Sequence, residues 1–133
     1  LVVGDMTSLP AISVNLESLP ENATGLAIIE VTSEQDIQPL RHPAGVVLRW
    51  LVNPDSGRHM PLPDALAGLL DKASPSYTWV ACEFSSMRAI RAMLSRGNTL
   101  SRDQLYISSY WKSGLDEDSH KEVKREDAQV AMS

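Results

Sequence analysis

The chain has 133 residues, 43% of them apolar and 22% charged, and a formal net charge of −5. That length suits one domain with a proper core. The mild acidity argues against a nucleic-acid binder, which would carry a basic face. No apolar run reaches the roughly 20 residues of a membrane span, and the single Cys82 excludes an internal disulfide, as suits the reducing cytoplasm where we expect the protein to work.

The opening LVVG (1–4) reads as a short buried strand ending at Gly4, since a continuous apolar run bounded by a turn residue marks a strand covered on both faces. A chain that starts inside a buried strand is expected to be a piece of a longer polypeptide. From Ser8, a capping residue followed by Pro10, a helix presents Leu9, Ile12, Leu16 and Leu19 on one side. A second strand, TGLAIIEV (24–31), leads into the polar, proline-punctuated TSEQDIQPLRHPAG, read as a loop around a short crossing segment. GVVLRWLV (45–52) is a third strand, followed by a turn at Asn53–Gly57.

Pro63–Ala73 reads as a second helix with Leu62, Leu66, Leu69 and Leu70 inward. YTWVACE (77–83) is a fourth strand and Phe84–Arg96 a third helix, with Met87, Ile90, Met93 and Leu94 inward and Arg88 outward. A turn at Ser101–Gln104 leads to a fifth strand, LYISSYW (105–111). The remainder, 115–133, is a charged tail, expected to form a loosely attached helix.

Apolar strands alternating with helices specify an α/β fold: a three-layer α/β/α sandwich on a five-stranded parallel sheet, with residues 1–114 as the domain. Ligands of such sheets bind where the strands end at their carboxyl side. That rule gathers Gly4, Asp5 and Thr7, then Glu30 and Asn53, then Glu83, Ser85 and Ser86, and finally Tyr110, Trp111 and Lys112.

Each group has a chemical reading and a plainer one. GDMTSLPAI has a glycine at the turn and a hydroxyl residue at the helix start, so its amides could hold a pyrophosphate or simply form a capped turn. It lacks the G-x-G-x-x-G fingerprint. Glu30 could accept from ribose hydroxyls or be a solvated carboxylate. Ser85 and Ser86 could serve a ligand or cap the third helix. Cys82 reads as a small core residue. His42, His59 and His120 stand apart without metal-ligand spacing, so no metal is assigned, and no nucleophilic triad can be argued. HKEVKRED (120–127) is either a solvated helix face or, with Lys112, a basic pocket wall.

Seven aromatic residues serve the whole chain, yet Tyr106, Tyr110 and Trp111 share six positions of YISSYWKSG. Neighbouring strand residues point to opposite faces, so at least one of Tyr110, Trp111 and Lys112 should face something other than the core.

Three blocks in series carry a family resemblance. GDMTSLPAI resembles the "GDETALPAI" opening of the nucleotide-binding domain of siderophore-interacting proteins. WVACEFSSMRAIRAML resembles that family's "W-x-A-G-E-x-x-x-x-R-x-x-R-x-x-L" block, and YISSYWKSG its closing "GYW(R/K)xG". The chain departs from the pattern at Met6, Cys82 and Ser109. The resemblance implies a Rossmann-like domain of ferredoxin-reductase type, preceded in the whole protein by an FAD-binding barrel. It implies a cytoplasmic, FAD-dependent ferric-siderophore reductase, with NAD(P)H or a reduced ferredoxin as electron donor.

On that reading Gly4, Asp5, Thr7, Glu30, Glu83, Ser85, Ser86, Tyr110 and Trp111 face the cofactors. Tyr110 or Trp111 stacks on the flavin, and Lys112, Lys124 and Arg125 attract an anionic ferric siderophore. No residue of this domain acts as a general acid or base. The rival readings are another flavin oxidoreductase of the same superfamily and a non-catalytic nucleotide-binding domain.

Overall fold

The computed structural model describes residues 1–55, 58–70, 77–97 and 102–132. Five strands, β1 (Val2–Asp5), β2 (Thr24–Val31), β3 (Gly45–Val52), β4 (Thr78–Glu83) and β5 (Leu105–Trp111), form one parallel sheet in the order β3-β2-β1-β4-β5. The chain lays strands outward on one side of β1, then crosses back to build on the other. The switch point therefore falls between β1 and β4, where crevices open in such sheets.

Right-handed crossovers assign helices to faces. α1 (Leu9–Glu17) leads from β1 to β2 and covers one face. α2 (Pro61–Leu70) and α3 (Phe84–Gly97) follow crossings in the other direction and cover the opposite face. The strands alternate to match: Val3, Ile28, Val80 and Cys82 pack under α2 and α3, while Ala27, Ile29, Trp79 and Ala81 pack on the α1 side. Each face thus has its own apolar layer, and the sheet is the partition between them.

Two local details differ from the sequence expectation. Ser8 does not cap α1 with its side chain. Its hydroxyl donates to Asp5 O at 3.1 Å and Ala81 O at 2.8 Å, because a 3-10 turn (Met6–Ser8) precedes α1 and Asp5 caps that turn instead. α2 starts at Pro61, two residues early, since proline suits a first helical position. The expected end of this helix at Ala73, the side chain of Leu70, residues 56 and 57 of the turn after β3, and Ser101 lie outside the described residues.

The charged tail is a helix, α4 (Glu117–Met132), and it is docked. Arg91 Nη2 on α3 donates to both carboxylate oxygens of Asp127, at 2.8 and 3.0 Å, with Arg88 Nε 3.5 Å from the same group. Val123 packs against the α2–α3 layer, and Lys124 Nζ donates to Ser108 Oγ at 3.0 Å. Among the described residues no helix is long and apolar enough to cross a membrane.

Candidate functional site

At the carboxyl edge, the strands β1, β2 and β4 each place a carboxylate that is almost fully buried: Asp5, Glu30 and Glu83. Buried carboxylates need donors, and Asp5 and Glu83 are each supplied from several elements at once. Asp5 Oδ1 accepts from the amide and hydroxyl of Thr7. Its Oδ2 accepts from the Glu83 amide at 3.1 Å and the Trp111 indole N–H at 2.8 Å. Glu83 Oε2 accepts from the Ser85 and Ser86 amides at 2.7 and 3.1 Å, and Oε1 from the Ser113 amide at 3.2 Å.

These bonds correct the capping role expected of the two serines. Glu83 stands immediately before α3 and supplies the capping oxygen, whereas Ser85 and Ser86 supply the amides it caps. Gly4 is explained by packing. A Cβ there would lie 2.3 Å from Ser8 Oγ and 2.8 Å from Ala81 O, so only glycine lets the α1 entrance close against β4. Glu30 is buried rather than solvated, with Asn53 Nδ2 at 3.4 Å. Asn53 also donates to His59 O at 2.8 Å, tying the end of β3 to its following loop.

The aromatic run divides its duties through a bulge. Cys82 pairs with Ser109 but Glu83 pairs with Trp111, so Tyr110 is the extra residue on β5. Tyr106 stacks on Trp79 at 5.4 Å between centroids, and Tyr110 meets Trp79 edge-on at 6.4 Å. Both tyrosines thus serve the α1 face. Trp111, re-aimed by the bulge, turns its N–H to Asp5. Lys112 lies with its ammonium 4.7 Å from the centre of the Phe84 ring, a cation–π contact at the mouth of α3.

Cys82 is fully buried beneath this edge. Burial pushes its thiol far above the ordinary value, and the charges of Asp5, Glu83 and Glu30 push the same way. It stays a neutral thiol and acts as a core residue. Among the described residues no group of histidine, cysteine, aspartate and glutamate side chains is arranged to hold a metal.

The match to known proteins follows this geometry. The family model described as "Siderophore-interacting protein" matches residues 1–114, the stretch holding all five strands and every bond of the Asp5–Glu83–Trp111 network. The chain belongs to the siderophore-interacting protein family. It is 32% identical over 126 residues to the ferric vibriobactin reductase ViuB of Vibrio cholerae serotype O1, covering 93% of this chain and 46% of that protein. Its fold superposes on the siderophore-interacting protein SipS from Aeromonas hydrophila with a TM-score of 0.86 and 31% identity, covering 96% of this chain and 51% of that one. A siderophore utilization protein from T. fusca gives a TM-score of 0.77 at 25% identity over 90% of this chain and 47% of that one. The chain spans about half the length of the curated relatives it matches.

Within this family domain, the residues expected at the cofactor side lie along this edge, where Asp5, Thr7, Glu83, Ser85, Ser86 and Trp111 share one hydrogen-bond network and Tyr110 packs on Trp79. Of the expected siderophore-side cations, Lys112 sits at the edge, Lys124 is bonded to Ser108, and Arg125 is exposed on α4. One polar pair escaped the sequence reading. His120 is buried, with Nε2 2.7 Å from Ser109 Oγ. Burial lowers its pKa below the ordinary 6.5, Lys124 and Lys112 add to this, and Glu83 and Glu117 oppose it. The signal was present in the spacing: His120, Val123, Lys124 and Asp127 recur at helical intervals on one face.

Proposed function

We propose that this chain is the nucleotide-binding half of a cytoplasmic, FAD-dependent reductase that converts a ferric siderophore to its ferrous form, with NAD(P)H or reduced ferredoxin as donor. The observation that carries the reading is the match of the whole sheet to siderophore-interacting proteins. It is joined by a ferric reductase among the relatives and by an aromatic ring and a cation side by side at the carboxyl edge.

The residues present fit the planar end of a flavin or nicotinamide better than its phosphates. The Thr7 amide is taken by Asp5, and a carboxylate at that turn repels a pyrophosphate. Trp111 is half-buried with its polar atom satisfied inward, which leaves an apolar aromatic surface for stacking. Most flavin contacts belong to the barrel domain expected ahead of this chain. A bound flavin supplies the electron transfer to iron(III), and siderophore oxygens hold iron(II) more weakly. Lys112 at the edge offers an ammonium to an anionic ferric complex, with Lys124 and Arg125 on α4 as further cations.

The test is made on the natural full-length protein. Ferric siderophore, FAD and each donor in turn are mixed with a chromogenic ferrous chelator. Donor-dependent Fe(II) formation is expected. Reduction of other acceptors but not the ferric siderophore would favour a different flavin oxidoreductase, and absence of flavin binding would favour a non-catalytic nucleotide-binding domain.

A further inference from the structure

Asp5 divides its two oxygens between a local and a distant task. Oδ1 serves Thr7, two residues on. Oδ2 serves the Glu83 amide and the Trp111 indole, which lies 106 residues away in sequence. Both long-range bonds end on a carboxylate that is only 5% exposed; the one to the Glu83 amide is buried and the one to the indole part-buried. An indole N–H lies in the plane of its ring, so holding that N–H removes most of the freedom of the ring. The bulge at Tyr110 puts Trp111 opposite Glu83, whose amide shares Oδ2, and Ser113, two residues on, is held by Glu83 Oε1. The strand exit is thus fixed at its side chain and at its backbone.

We propose that Asp5 is a positioning residue: its Oδ2 sets the plane of the Trp111 indole, so that a planar redox ring meets a pre-oriented aromatic face. The inference rests on the reading above that such a ring meets the sheet at this edge. Asp5 acts through Trp111 and does not touch the ring. Asparagine substitutes only in part: with its oxygen toward the Glu83 amide and the indole it holds them without charge assistance, and its NH2 then faces the Thr7 amide, which loses its acceptor.

The experiment compares three changes in the natural full-length protein: Asp5→Asn, Trp111→Phe, and site-specific replacement of Trp111 by benzothienylalanine, which keeps the bicyclic area and lacks the N–H. Hydrogen exchange of the Trp111 indole is followed by NMR, the signal being assigned by its loss in Trp111→Phe, and FAD affinity by fluorescence titration. Asp5→Asn is expected to cut indole protection about tenfold, and it and the benzothienyl variant each to weaken FAD binding roughly five- to tenfold. Added to Trp111→Phe, Asp5→Asn should cost little more. Full additivity would assign Asp5 to the Thr7 turn alone and overturn the inference. If Asp5→Asn does not fold, the benzothienyl variant decides: wild-type FAD affinity there, with a loss in Trp111→Phe, overturns the inference alone. Wild-type affinity in Trp111→Phe overturns it together with the reading beneath it.

Discussion

Two strand-to-helix junctions at the switch point use the same device and differ in reach. At the first, Asp5 ends β1 and caps the turn that enters α1; at the second, Glu83 ends β4 and caps α3. Glu83 spends two of its three bonds on its own helix and the third on a backbone amide of the β5 exit. Asp5 spends two of its four within its own turn, one on β4 and one on a side chain from β5. The first junction therefore joins three strands through one carboxylate, while the second mainly starts a helix. Capping is local chemistry; what distinguishes the two sites is which distant donors the fold delivers.

If that difference in reach is real, Asp5→Ala should be the costlier change. It leaves two buried backbone or side-chain donors on other strands without a partner and should destabilise the intact protein by about 3 kcal/mol, read by urea unfolding. Glu83→Ala removes a helix cap and one further bond, so about 2 kcal/mol is expected. Equal losses would erase the contrast. In activity, Glu83→Ala should impair use of pyridine nucleotide more than siderophore binding; equal impairment would confine Glu83 to the fold.

Lys112 stands where both junctions meet the β5 exit, and it tests the functional side. Lys112→Ala in the full-length protein should weaken binding of an anionic ferric siderophore by roughly 1–2 kcal/mol. The effect should shrink as salt rises, with folding little changed. An unaltered dissociation constant at low salt would leave Lys112 as a partner of Phe84 only.

The smallest effect concerns the pH dependence of α4. His120 is a base with a depressed folded pKa, so the unfolded state binds the proton more tightly and stability falls with acidification. The contribution of its neutral form is full above the ordinary value of 6.5 and is lost as pH drops through the lower folded value. Protonation adds a buried charge, with Lys124 and Lys112 facing it on the unfavourable side and Glu83 and Glu117 on the favourable one. Amide exchange along α4 should therefore quicken on acidification, and His120→Gln should flatten that response. An unchanged acid response in the variant would place the sensitive group elsewhere.

The sequence by itself determined the architecture. β2 and β3 were legible to the residue, β2 as a largely buried apolar run and β3 as an apolar run at the sheet edge, because the turn residues around them punctuate the chain. It also determined which residues reach the carboxyl edge, since the end of each strand is enough to say so. Only the tertiary structure decided how those residues spend their polar atoms. Asp5 read as a cofactor-facing turn residue, Ser85 and Ser86 as ligand contacts or caps, Trp111 with Tyr110 as a candidate for stacking, and His120 as an isolated residue of the charged tail. The structure gives each a partner: a local one for Ser85 and Ser86, one set by the docking of α4 for His120, and one set by strand order and the bulge for Asp5 and Trp111. A hydrogen bond between residues 5 and 111 leaves no mark on the local pattern of either, because it depends on β1, β4 and β5 lying side by side and on the register in which they do so.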